Sequence, residues 1–157
     1  MEKMFDKVVV GGTFNVLHKG HKAVLTTAFE LGKSVAIGIS SDEFANRFRA
    51  IQTKKYEVRR KELIEFVERF DKGYEILEIN DSYSIATTDP EIDCIVVSEE
   101  TLLRAEEINA IRFKKDLNKL TIVVVPIMLA GDGKPISGER ILNDEIDEDG
   151  IIVSRTS

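Results

Sequence analysis

Val8-Val9-Val10-Gly11-Gly12-Thr13-Phe14-Asn15-Val16-Leu17-His18-Lys19-Gly20-His21 is the stretch from which the fold can be read. Consecutive valines favour an extended, buried strand. Gly11 and Gly12 then let the backbone turn and come close to a bulky ligand. From about residue 18 to 31 the apolar residues Val24, Leu25, Ala28 and Leu31 recur at helical spacing. A strand followed by a glycine turn and a helix start aims unpaired N–H groups and the positive end of the helix dipole at the turn. That arrangement suits a phosphate.

The same alternation continues outward. Strands are expected at 34–39, 74–79, 93–97 and 121–125, the last stopped by Pro126. Helices are expected at 56–70, where Leu63, Phe66, Val67 and Phe70 form one apolar stripe, and at 103–117, with Ile108 and Ile111 inward. Apolar runs without polar alternation suit strands covered on both faces. The chain therefore predicts a single α/β domain over 1–157, a doubly wound parallel sheet of about five strands with helices on both faces. Ligands in such sheets collect outside the carboxyl ends of the strands.

Composition bounds the function. A net charge of −6 argues against a general nucleic-acid binder, which needs a basic face. Cys94 is the sole cysteine, within Ile92-Asp93-Cys94-Ile95-Val96-Val97, so it reads as a small buried strand residue in a reducing compartment. No apolar run reaches membrane-spanning length, and Met1-Glu2-Lys3-Met4 leads directly into a strand rather than a signal peptide. The expected setting is cytoplasmic, away from membranes.

His18 and His21, three residues apart, share one side of a helix start. Each imidazole can donate a hydrogen bond to phosphate, more strongly when protonated. Gly20 removes a side chain between them, and Thr13 Oγ at the strand end is placed to bond the phosphate under attack. Two histidines near a helix start are also compatible with plain surface residues. A zinc site would need a third nearby ligand, which the sequence does not supply.

Gly12-Thr13-Phe14 with His18-Lys19-Gly20-His21 resembles the signature of the nucleotidylyltransferase superfamily. The resemblance implies a Rossmann-like sheet and direct in-line attack on the α-phosphate of a nucleoside triphosphate. With Ser98-Glu99-Glu100-Thr101 and Gly131-Asp132-Gly133-Lys134-Pro135-Ile136-Ser137, it extends from about residue 8 to 149 and is similar to the archaeal and eukaryotic type of pantetheine-phosphate adenylyltransferase. That family joins ATP to 4′-phosphopantetheine, giving dephospho-coenzyme A and pyrophosphate. Carried over, the ATP contacts are Gly12, Thr13, Phe14, His18, Gly20, His21, Ser98, Ser137 and Arg140. Thr13, Lys54 and Lys55 would meet the acceptor, and Thr13, His21 and Lys54 would serve catalysis. Magnesium would arrive with ATP, with few protein ligands. The chain departs from the family's Ser-Ser-Thr-Arg-like run by carrying Ser137-Gly138-Glu139-Arg140. The alternatives are a related cytidylyl- or FMN adenylyltransferase, or a catalytically idle nucleotide-binding module.

Arg47, Arg49, Lys54, Lys55, Arg59, Arg60 and Lys61 are opposed in their interval only by Glu57, a local charge reversal that would attract polyanions. A solvated helix face is the competing reading for Arg59, Arg60 and Lys61. Asp42, Glu43, Asp132 and the acids from 144 to 149 lack the spacing of an EF-hand loop and read as solvated charge.

Overall fold

The computed structural model describes residues 5–47 and 53–153. Five strands form one all-parallel sheet: β1 (Phe5–Gly12), β2 (Gly32–Ser40), β3 (Gly73–Ile79), β4 (Cys94–Ser98) and β5 (Thr121–Val125), in the order β3-β2-β1-β4-β5. The helices are α1 (Lys19–Leu31), α2 (Asp42–Asn46), α3 (Tyr56–Val67), α4 (Leu102–Lys114) and α5 (Gly138–Leu142). This is the expected Rossmann-like α/β architecture.

Strand alternation divides the core between the two faces. Val8, Val10, Val35, Ile37, Ile39 and Val96 pack with Leu25, Ala28 and Phe29 of α1 and Leu63, Phe66 and Val67 of α3. Val9, Ala36, Ile95 and Val97 point the other way, toward Ala105 and Ile108 of α4 and Ala86 and Ile92 of the connection before β4. Cys94 is fully buried as expected, and burial pushes its thiol up to about 12, so it is an inert core residue.

Two features depart from the sequence expectation. The Gly11-Gly12 pair does not make the turn: both residues lie in β1, paired with Gly38 and Ile39 of β2. The left-handed residue is Phe14, at φ 53°, and its ring is buried in the core. A Cβ on Gly12 would lie 3.2 Å from that ring, so Gly12 makes room for Phe14. In α4 the residue most deeply buried near the end of the stripe is Arg112 rather than Ile111, which is only half-buried. Its guanidinium donates to the carbonyls of Asn118 (2.7 Å), Ala86 (2.9 Å), Asp89 (3.0 Å) and Ile92 (3.3 Å), tying α4 to the connection before β4.

β1 is where strand order reverses. Its pairing with β2 runs on to Gly12↔Ile39, whereas its pairing with β4 stops at Val9↔Ile95. The neighbours therefore part at the carboxyl end of β1, opening the crevice in which such sheets bind ligands. A surface concavity of about 400 Å³ lined by Val67, Glu68, Asp71, Lys72, Gly73 and Tyr74 lies at the amino end of β3, the opposite end of the sheet.

Candidate active site

The turn leaving β1 carries Thr13, Phe14 and Asn15, and His18 starts α1. His18 is the helix N-cap. Its Nδ1 accepts from the backbone N–H of Gly20 (3.0 Å) and His21 (3.4 Å), while His21 Nδ1 accepts from the N–H of His18 (3.4 Å). This reciprocal capping box uses imidazoles where serine and glutamate usually stand. An accepting Nδ1 carries no proton, so each neutral ring presents its proton at Nε2. The rings stack at 3.8 Å, and His21 also lies 5.2 Å from the Phe14 ring. A Cβ on Gly20 would come within 2.9 Å of the His18 ring, which explains the glycine there.

Two expectations are corrected here. The first N–H groups of α1 are not open to phosphate: Lys19 donates to the carbonyl of Glu148 at 2.9 Å, and Gly20 and His21 donate to His18. Phosphate would be met by the imidazole Nε2–H groups and the helix dipole instead. His18 is also not a cationic donor near neutrality. It is 9% exposed, and burial lowers its pKa from 6.5 to about 4.

That depression couples His18 to stability. The folded state keeps the ring neutral where the unfolded chain takes up a proton, so the full stability is present above about pH 6.5 and is lost as pH falls toward about 4. The loss amounts to about 3 kcal/mol at full extent. As pH falls across that window, the melting temperature of the wild type should drop relative to that of His18→Asn, whose amide caps without titrating. Parallel curves would rule this coupling out.

Thr13 Oγ1 lies 3.5 Å from Ser40 Oγ at the end of β2, and Ser40 Oγ donates to the carbonyl of Gly12 at 3.4 Å. Asn15, buried, accepts the N–H of Lys54 at 2.8 Å. The lysine loop is thereby bound to the turn through Lys54. Its ammonium is partly exposed and pairs with Glu62 at 3.2 Å. Lys55 is the exposed N-cap of α3 and makes no side-chain cap bond.

Arg59 is the residue that the sequence reading misplaced. It is fully buried, not part of a solvated face, whereas Arg60 and Lys61 are exposed. It occupies the α3 stripe four residues before Leu63 and seven before Phe66, on the buried side of the helix. Asp42 is likewise not solvated charge: one oxygen accepts from Arg59 at 3.0 Å and from the Tyr56 N–H of α3 at 2.7 Å. Arg47 pairs with Glu43 at 3.7 Å, and Arg49 lies outside the described residues.

The remaining candidates lie at the end of β4 and in the segment after β5. Ser98 ends β4, beside Val125 of β5. Ser137 is the N-cap of α5: its Oγ accepts the N–H of Arg140 at 3.2 Å, leaving its O–H to donate. A Cβ on Gly138 would meet Val16 at 3.9 Å, so the start of α5 adjoins the turn after β1. Arg140 faces its own loop, donating to the carbonyl of Pro135 at 2.9 Å and pairing with Asp132 and Glu145. These two acids hold an arginine rather than standing as solvated charge. Among the described residues no cluster of three or more His, Cys, Asp or Glu is placed to hold a metal ion. Among them also, no helix is long and apolar enough to cross a membrane.

The switch point of this parallel sheet thus carries paired imidazoles, a threonine and the anchored backbone of a lysine. The cytidylyltransferase-like family model matches residues 9–143, and the chain belongs to that family. It is 41% identical over 155 residues to the phosphopantetheine adenylyltransferase of Methanothermobacter thermautotrophicus, covering 99% of this chain and 94% of the relative. The phosphopantetheine adenylyltransferase of Pyrococcus horikoshii is 45% identical over 150 residues, covering 94% of this chain and 95% of the relative. A crystal structure of a protein of unknown function from Archaeoglobus fulgidus superposes with a TM-score of 0.68 at 34% identity, covering 76% of this chain and 88% of that one.

Proposed function

We propose that the chain transfers the adenylyl group of ATP to 4′-phosphopantetheine, giving dephospho-coenzyme A and pyrophosphate for coenzyme A biosynthesis in the cytoplasm. The observation that carries this reading is the gathering of Thr13 and two Nε2-protonated imidazoles at the carboxyl end of β1, with the backbone of Lys54 anchored to Asn15 of the same turn. Kinship to relatives named for this activity supports the choice of substrates.

An oxygen of the acceptor phosphate attacks the α-phosphorus in line, and the bond to the bridging oxygen breaks as pyrophosphate leaves. The second pKa of a phosphate monoester is about 6, so the nucleophile is already ionised at neutral pH and needs no general base. Catalysis is then positioning and charge stabilisation. Thr13 Oγ orients the attacking phosphate. Lys54, released from its rim pair with Glu62, offsets repulsion between the two phosphates. His21 Nε2–H meets charge building on the α-phosphate oxygens, and neutral His18 holds the triphosphate. The Ser137 hydroxyl donates to the leaving pyrophosphate. Magnesium comes as part of the ATP substrate, held mainly by its phosphates.

Direct attack is tested by isotope exchange. Labelled pyrophosphate should enter ATP only when dephospho-coenzyme A is present. Exchange with enzyme and ATP alone would mean an adenylyl-enzyme intermediate and would overturn the one-step mechanism.

A further inference from the structure

We infer that Arg59 is a positioning residue that sets the separation between the Thr13 turn and Lys54, an assignment that rests on the function proposed above. Arg59 Nη1 donates to the carbonyls of Thr13 at 2.9 Å and Ser40 at 2.8 Å, and Nε donates to the carbonyl of Lys54 at 2.8 Å. Nη2 completes the set on Asp42 at 3.0 Å. One planar group thus joins the turn after β1, the end of β2 and the lysine loop, reaching as far as 46 positions back in sequence. Lys54 is gripped on both sides of its own backbone, by Arg59 at its carbonyl and by Asn15 at its N–H.

The chemistry of the guanidinium makes the assignment specific. At this position in the α3 stripe an apolar side chain would pack without satisfying the three carbonyls, and unpaired buried carbonyls are costly. A lysine would keep the charge, but a single ammonium cannot reproduce a fixed fork of N–H groups directed at separate segments. The Asp42 oxygen that balances the charge also accepts the Tyr56 N–H at the start of α3, so one acid of α2 fixes both the fork and the helix that carries it. Arg59 touches no substrate in this arrangement; it acts through Thr13 and Lys54.

The test is a double-mutant cycle of Arg59→Lys and Lys54→Met, read as pyrophosphate release from ATP and phosphopantetheine, with a thermal melt for every variant. Arg59→Lys should lower kcat by about 10²-fold, the scale of an ångström-sized misplacement, with little change in the KM for ATP. Most of that loss should vanish in the Lys54→Met background, because the lysine being placed is already gone. Arg59→Gln, which keeps amide N–H donors on a shorter, uncharged side chain, replaces the lysine variant if the latter does not fold. Losses that multiply, unchanged kcat in a folded variant, or failure of both variants to fold would make Arg59 purely structural. A wild type with no turnover overturns the functional reading itself, whereas an active wild type with multiplying losses overturns only the role of Arg59.

Discussion

His21→Ala is expected to lower kcat for adenylyl transfer by about 10²–10³-fold, the usual consequence of deleting one preorganised donor to developing charge. ATP affinity should change far less, because the Nε2–H contact strengthens only as charge builds on the α-phosphate. The geometry supports this separation. The ring is held by Nδ1 on the His18 N–H, by stacking at 3.8 Å on His18 and by contact with Phe14, so the donor is already oriented. The substitution also removes half of the capping box, which should cost about 1 kcal/mol of stability. Rates must therefore be compared well below the melting temperature of each variant. A folded His21→Ala enzyme with wild-type kcat and a lowered melting point would assign the ring to packing alone.

Lys54→Met is expected to reduce kcat and kcat/KM for phosphopantetheine by at least about 10²-fold, whereas Lys55→Met should have a small effect. The sequence does not distinguish these neighbours; the fold does. Lys54 is bonded at its N–H to Asn15 and at its carbonyl to Arg59, so its side chain projects from a fixed point beside the Thr13 turn. Lys55 caps α3 from an exposed position without a side-chain bond. A lysine offsetting repulsion between two phosphates acts through charge, so part of the Lys54 advantage should be screened as salt rises. Arg60→Ala and Lys61→Ala, on the exposed face, should leave the rate nearly unchanged. Equal losses at Lys54 and Lys55, or full activity in Lys54→Met at subsaturating acceptor, would remove Lys54 from the site.

Much of the architecture was legible because its signals are local. Val8-Val9-Val10, the continuous apolar strands and the Leu63, Phe66, Val67 stripe report their own burial, and the alternation of strand and helix implies a parallel sheet. The histidine pair was legible as a site because its spacing fixes one side of a helix start. Its capping role was not, since imidazole is an uncommon N-cap and the contact by Glu148 comes from the far end of the chain. Arg59 and Arg112 escaped for the opposite reason. A charged residue in an apolar stripe reads as surface until carbonyls from distant segments supply its partners. Asp42, Asp132 and Glu145 looked like solvated acids because the arginines they hold are identified only by folding. The Arg140 loop illustrates the same point: a motif supplied the residue, and its neighbours determine where it faces.

The most direct measurement of substrate pairing is product analysis by mass after incubating the purified protein and magnesium with ATP and 4′-phosphopantetheine, beside CTP with glycerol 3-phosphate and ATP with FMN. Dephospho-coenzyme A and pyrophosphate are expected in equal amounts from the first mixture, and no nucleotidyl product from the others. Turnover of either rival pair with none on phosphopantetheine would contradict the proposed substrate pairing.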